Sequence, residues 1–172
     1  MRKKIIFHII NIFFIILVQT TILDYIKING IKPNLILVYT ICFSLLAGSE
    51  DGAIIGLFAG MMLDIIVGKV IGAYSLINMY TGIISGFMSK KYFKENILVV
   101  LLFTFFLTMF YEYGIYLLNR IGNLRAHSLV FVFKTVLFPE ALYNSIISIF
   151  AYSLSLKAQN RLILKNEATS QF

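Results

Sequence analysis

GAIIGLFAGMMLDIIVG, residues Gly52 to Gly68, settles what kind of chain this is. The stretch is almost wholly apolar, has small residues at every fourth place and holds one aspartate near its end. Its apolar residues run on without alternating, so it reads as a helix and not as a half-buried strand. Gly52, Gly56 and Gly60, spaced by fours, lie on one slowly winding face. Small residues in that arrangement let a second helix backbone approach closely. What a carboxylate is doing beside that face depends on the medium around the helix.

The rest of the chain supplies the medium. Of its 172 residues 59% are hydrophobic and only 13% charged, and the mean hydropathy is +0.87. A soluble domain of this length needs far more polar surface. Apolar runs of about 18 residues or more recur, each long enough to cross a hydrocarbon core. The expected fold class is therefore all-α: a polytopic membrane protein forming a single helical domain in the lipid bilayer. Continuous runs that do not alternate favour helices over a barrel. Cys42 is a lone cysteine inside an apolar run and reads as a small core residue. The net charge of +7 is carried by short basic groups flanking apolar runs. That is a topology signal, not a nucleic-acid face.

Six spans are predicted, roughly Ile5–Asp24, Asn34–Ala47, Gly52–Gly68, Val70–Met88, Ile97–Leu118 and Leu137–Leu156. The second and third are short and close together, so five spans is the alternative count. The basic start, MRKK, resembles that of a signal peptide. The apolar part that follows is too long and has no small-residue cleavage site, so it reads as an uncleaved first span. With a cytoplasmic N-terminus, nine basic residues fall inside: Arg2, Lys3, Lys4, Lys90, Lys91, Lys94, Lys157, Arg161 and Lys165. Six fall outside: Lys27, Lys32, Lys69, Arg120, Arg125 and Lys134. The inside groups are also the tighter ones, and six spans then put both termini in the cytoplasm. The longest loop is expected at about Asn119–Val136, and the polar tail from about Lys157 to Phe172 is expected to fray.

In this topology the polar side chains gather toward the outer ends of the spans. Asp64, one turn past Gly60, is expected to face the bundle interior, and an intramembrane carboxylate is a functional candidate by default. Glu112, Glu140, Gln19, Asp24 and Asn34 lie near the same side. The fourth span carries its own small set, Gly82 and Gly86, with Ser75, Asn78 and Ser85. Glu140, Asn144 and Ser148 form one polar stripe on the last span, and Pro139 suits a first helical turn. Two readings stay open for these groups. The glycines either pack helices or line a ligand cavity, and the polar residues either bond across helices or meet a partner or ligand. The candidate partner- or cavity-facing set is Gln19, Asn34, Asp64, Asn78, Glu112, Glu140 and Asn144; the candidate packing set is Gly52, Gly56, Gly60, Gly82 and Gly86. Tyr74, Tyr111, Tyr113, Tyr116 and Tyr143 could furnish aromatic walls to an outer site.

No catalytic set accompanies these carboxylates. His8 and His127 fall near opposite membrane faces, no Cys/His metal spacing occurs, and the glycine string lacks the lysine of a phosphate loop. No enzyme, metal or cofactor is expected.

Taken in order, several pieces resemble the bacterial rod shape-determining MreD family over essentially the whole chain. They are Gln19–Thr20–Thr21, Lys32–Pro33–Asn34–Leu35, Gly48, Gly52–Ala53–Ile54–Ile55–Gly56, Gly60–Met61–Met62–Leu63–Asp64, Gly68, Gly72, Gly82 and Leu142–Tyr143–Asn144. Asn34 stands where the family often has an aspartate, though an amide still caps a helix. The resemblance implies a non-catalytic scaffold of the wall-elongation machinery in the bacterial cytoplasmic membrane. Its implied partners are MreC, the actin-like MreB, RodA and a penicillin-binding transpeptidase. It also implies a fold similar to the substrate-binding subunits of energy-coupling-factor vitamin transporters. A small-molecule capture subunit of that kind is the alternative function.

Overall fold

The structure is a computed structural model that describes residues 2–23, 25, 27, 30–67, 72–88, 96–121 and 128–169, with side-chain surroundings from residue 7 to residue 160. The elements are α1 (Arg2–Thr21), α2 (Leu35–Ala47), α3 (Ser49–Ile66), α4 (Ala73–Met88), α5 (Ile97–Ile121), α6 (Leu129–Val132), a π-helical turn at Phe133–Leu137, and α7 (Phe138–Thr169). Asp24, Gly68, Lys90, Lys91, Lys94 and His127 lie outside the described residues. Two described stretches are long and apolar enough to cross a membrane, Ile97–Ile121 and Leu129–Asn160.

The centre of the molecule is α2, with α3, α4 and α7 packed around it. Nine of its thirteen residues are buried. At a rise of about 1.5 Å per residue it is only about 20 Å long. A short helix is tolerable there because its backbone polar groups are satisfied within the helix and its sides meet protein. Leu37, Val38, Ile41, Cys42 and Leu45 of α2 form one apolar cluster with Val100, Leu107, Tyr111 and Ile115 of α5 and Tyr152 of α7. A second cluster joins Ile12 and Ile16 of α1 to Ile36, Ala59 and Leu63. Large apolar residues such as Phe14, Phe58, Phe106 and Phe150 point outward. A soluble chain would bury such side chains; a lipid-facing surface has no need to. Gly48, with φ +104°, is the one residue between α2 and α3, and its left-handed backbone makes the turn.

The tightest seam joins α3 to α4. Ascending glycines of α3 meet descending positions of α4: Gly52 faces Gly82, Gly56 faces Asn78 and Gly60 faces Tyr74 and Ser75. The two helices are therefore antiparallel. Gly86 of α4 lies against Gly48 and Ser49, extending the seam to its far end. Every one of these glycines meets backbone of the facing segment, and Gly52 meets the Ser44 side chain of α2 as well, so any side chain would force the helices apart. Without a strong hydrophobic drive between helices in lipid, close backbone packing of this sort is what holds them.

Three expectations need correcting. The last helical stretch starts at Leu129, not near residue 137, because Ser128 caps it by accepting from the Phe131 N–H. Pro139 is accordingly not in a first turn. It comes one residue after the π turn, whose wider ring accommodates a proline that lacks an N–H and crowds the carbonyl one turn back. The polar tail does not leave the helix at Lys157; α7 continues to Thr169. Gln159 is tied in by donating to the Leu46 carbonyl at 3.0 Å, which occupies a carbonyl that α2 leaves open at its C-terminal end.

Candidate functional site

Asp64 sits in the last turn of α3, half-buried, and its partners are the opening groups of α4. One carboxylate oxygen accepts from the Tyr74 N–H at 3.0 Å, and the other from the Ser75 N–H at 3.0 Å and from the Ser75 hydroxyl. These are the second and third residues of α4, the N–H groups that an N-cap side chain normally serves. The residue preceding α4 is Gly72, with φ +87° and no side chain to offer, so the cap comes from the neighbouring helix. The negative charge also lies at the positive end of the α4 dipole. The carboxylate at the end of the glycine string is thus satisfied within the protein, pinning one end of the α3–α4 seam.

Beside this pin the structure opens a cavity of about 210 Å³. Gln19 and Thr20 come to it from α1, Lys32 and Asn34 from the segment before α2, Tyr74 from α4, Glu112 from α5 and Glu140 from α7, with Ile16, Ile36 and Leu63 as apolar wall. Elements far apart in sequence converge here, and internal bonds hold the polar ones in place. The Gln19 side-chain oxygen accepts from the Ile36 N–H at 3.2 Å, fastening α1 to α2. Asn34 caps α2, its side-chain oxygen accepting from the Leu37 N–H at 3.1 Å. The Asn34 N–H donates to Asn144 Oδ1 at 2.8 Å, and Asn144 Nδ2 donates to Thr108 at 3.3 Å. Glu112 and Glu140 face each other within hydrogen-bonding reach, and Asn144 reaches Glu140.

Four residues of the candidate polar set, Gln19, Asn34, Glu112 and Glu140, therefore share one cavity. Asp64 does not line it, and two others lie deeper. Asn78 is fully buried at the seam, where its amide donates to the Tyr111 hydroxyl at 3.3 Å while its side-chain oxygen has no partner among the described residues. Asn144 is fully buried behind the cavity and acts through Asn34 and Thr108. Neither offers a surface to a partner. All five candidate packing glycines lie at or beside the α3–α4 seam. Of the tyrosines only Tyr74 reaches the cavity; Tyr143 lines a separate groove with Lys134 and Pro139, Tyr111 is core, and Tyr116 accepts from Arg120 at 2.7 Å. His8 lies against α2, bonded to the Tyr39 hydroxyl at 2.7 Å and edge-on to Phe43.

Lys32 and Thr20 were not singled out as lining residues, and a sequence signal for Lys32 existed in its place two residues before the cap Asn34. Thr108, which holds the Asn144 amide, had none, because a threonine on an apolar helix usually bonds back to its own turn.

A family model described as rod shape-determining protein MreD matches residues 1–156. This chain belongs to the MreD family. The matched residues include the glycine seam, Asp64 and every residue of the cavity. MreD-family membership assigns the protein to cell-shape determination and, with its apolar helices, to the membrane. No match was found among curated proteins or among solved structures.

Proposed function

We propose that this MreD-family protein is a non-catalytic scaffold of the wall-elongation machinery. In this reading it crosses the cytoplasmic membrane six times, has both termini in the cytoplasm and binds an MreC-type membrane protein. MreB, RodA and a penicillin-binding transpeptidase join the assembly through that contact. The observation that carries the proposal is the family match over residues 1–156. The internal bonding supports it. Asp64, Gln19 and Asn144 spend their side-chain polar atoms on joining helices, and Asn34 caps α2 while its N–H meets Asn144, which suits a rigid platform. Six crossings are supported by α1, α3 and α4 lying alongside the short central α2, so that the bundle and not each helix alone matches the bilayer.

The test is crosslinking in living cells, with a tag on the C-terminus and mass spectrometry of the captured proteins. Recovery of MreC and wall-elongation enzymes is expected. Recovery of an ATPase module and a coupling subunit without MreC would refute the scaffold and point to a small-molecule capture subunit.

A further inference from the structure

We propose that the cavity is a socket for one organic cation, an alkylammonium or guanidinium group held between the carboxyl groups of Glu112 and Glu140. The inference stands apart from the partner assignments above. It starts from a contrast between the carboxylates at this end of the bundle. Asp64 has three donors of its own in Tyr74 and Ser75. Glu112 and Glu140 have each other and, for Glu140, the Asn144 amide. Asn144 already donates to Thr108.

Two facing carboxyl groups, one buried and one half-buried, are unfavourable as a pair of anions unless they share a proton or a positive, donor-rich group completes them. Glu140 is only 9% exposed, and both glutamates line the cavity, so the space they border is where such a cation would sit. A planar guanidinium can bond two carboxyl groups at once, and an ammonium can do so as a point charge. The cavity, about 210 Å³, is small beside the roughly 300–1,000 Å³ of drug-sized ligand sites. It fits a group of side-chain size. The apolar wall receives methylenes, and the Tyr74 ring is of a kind that attracts a cation. Lys32 also borders the space and has interactions of its own. Its charge limits the socket to a single incoming cation and makes it the internal rival.

The chemistry has two sources: a free small amine, or a basic side chain from a membrane partner. The full chain in lipid nanodiscs would be titrated calorimetrically with butylguanidinium and with butylurea, its uncharged counterpart. Butylguanidinium should bind at least about tenfold more tightly. That preference should fall in Glu112→Gln and in Glu140→Gln, both checked for unchanged thermal unfolding. Equal binding of the two probes, no binding of either, or a preference that survives both substitutions would overturn the socket. So would binding seen only in Lys32→Met, since the glutamates would then be served from within. A photocrosslinker at Thr20, on the cavity rim, separates the sources in cells. Linkage to a lysine- or arginine-bearing segment of a membrane protein supports the side-chain source. A small amine released from the purified protein supports the free source. An occupant with neither an ammonium nor a guanidinium group overturns the proposal.

Discussion

Gly56→Ala should destabilise the protein, while the chemically identical change Gly114→Ala should not. The two sites look alike by distance. A Cβ at Gly56 would lie 2.7 Å from the Asn78 carbonyl carbon and nearer still to its oxygen, and one at Gly114 would lie 2.8 Å from the Ile77 Cδ1. They differ in what must give way. At Gly114 it is the far end of a flexible side chain, which can change rotamer. At Gly56 it is the backbone of α4, held along its length by the other seam contacts. Ordinary contact begins at 3.4 Å, so α3 and α4 must separate there by about 0.7 Å or more. Replacing a helical glycine by alanine favours the helix by about 1 kcal/mol at either site. Overpacking costs about 1–3 kcal/mol, and a backbone clash lies at the upper end. The net expectation is a loss of about 1–2 kcal/mol at Gly56 and a change between zero and a gain of about 1 kcal/mol at Gly114. Thermal unfolding in detergent, followed by circular dichroism, reads the difference. Equal midpoints for the two variants would show that the seam is slack and that the glycines do not set the approach of these helices.

At Asp64, leucine should destabilise by about 1–2 kcal/mol by leaving two opening N–H groups of α4 uncapped, whereas asparagine should lose less than half of that; unfolding curves that rank them the other way would remove the cap from the account. Asn144→Leu should cost about 2–3 kcal/mol, because the Asn34 N–H and Thr108 lose their partner in a buried place, and an unchanged midpoint would mean that water replaces the amide. Gln159→Leu removes one bond to the Leu46 carbonyl and should cost about 0.5–1 kcal/mol, with faster hydrogen exchange confined to the end of α2; exchange unchanged there would refute the tie.

Much of this was legible in the sequence, for physical reasons. Glycines at 52, 56 and 60 share a helix face whatever the surroundings, so a close helix neighbour could be expected before its identity was known. The gathering of Gln19, Asn34, Glu112 and Glu140 followed from counting span directions, since alternate spans bring opposite ends to one side. The depth of a polar residue was not legible. Asn78 and Asn144 look like Asn34 in a hydropathy pattern, yet they are core. Their place is fixed by helix rotation about α2, and periodicity sets that only loosely on helices that are apolar almost all round. The π turn before Pro139 was also hidden. The sequence shows a helix-starting proline, and only the upstream cap at Ser128 reveals that the helix is already under way.

The seam and the cavity are mechanically joined, and the join can be tested. Gly60 lies against the backbone of Tyr74 and Ser75, the residues Asp64 holds, and Tyr74 is itself part of the cavity wall. Gly52 lies two turns away, about 12 Å along α3, against Gly82. Alanine at either position meets backbone and should lower stability by a similar amount. Only the Gly60 change shifts the start of α4 and with it the wall that Tyr74 provides. Gly60→Ala should therefore weaken butylguanidinium binding several-fold relative to Gly52→Ala in nanodiscs at a temperature where both are folded. Equal weakening would mean that the cavity responds to overall stability and not to the register of α4. No weakening in either would place the wall's rigidity elsewhere, in the Asn34–Asn144–Thr108 bonds that hold another of its lining residues.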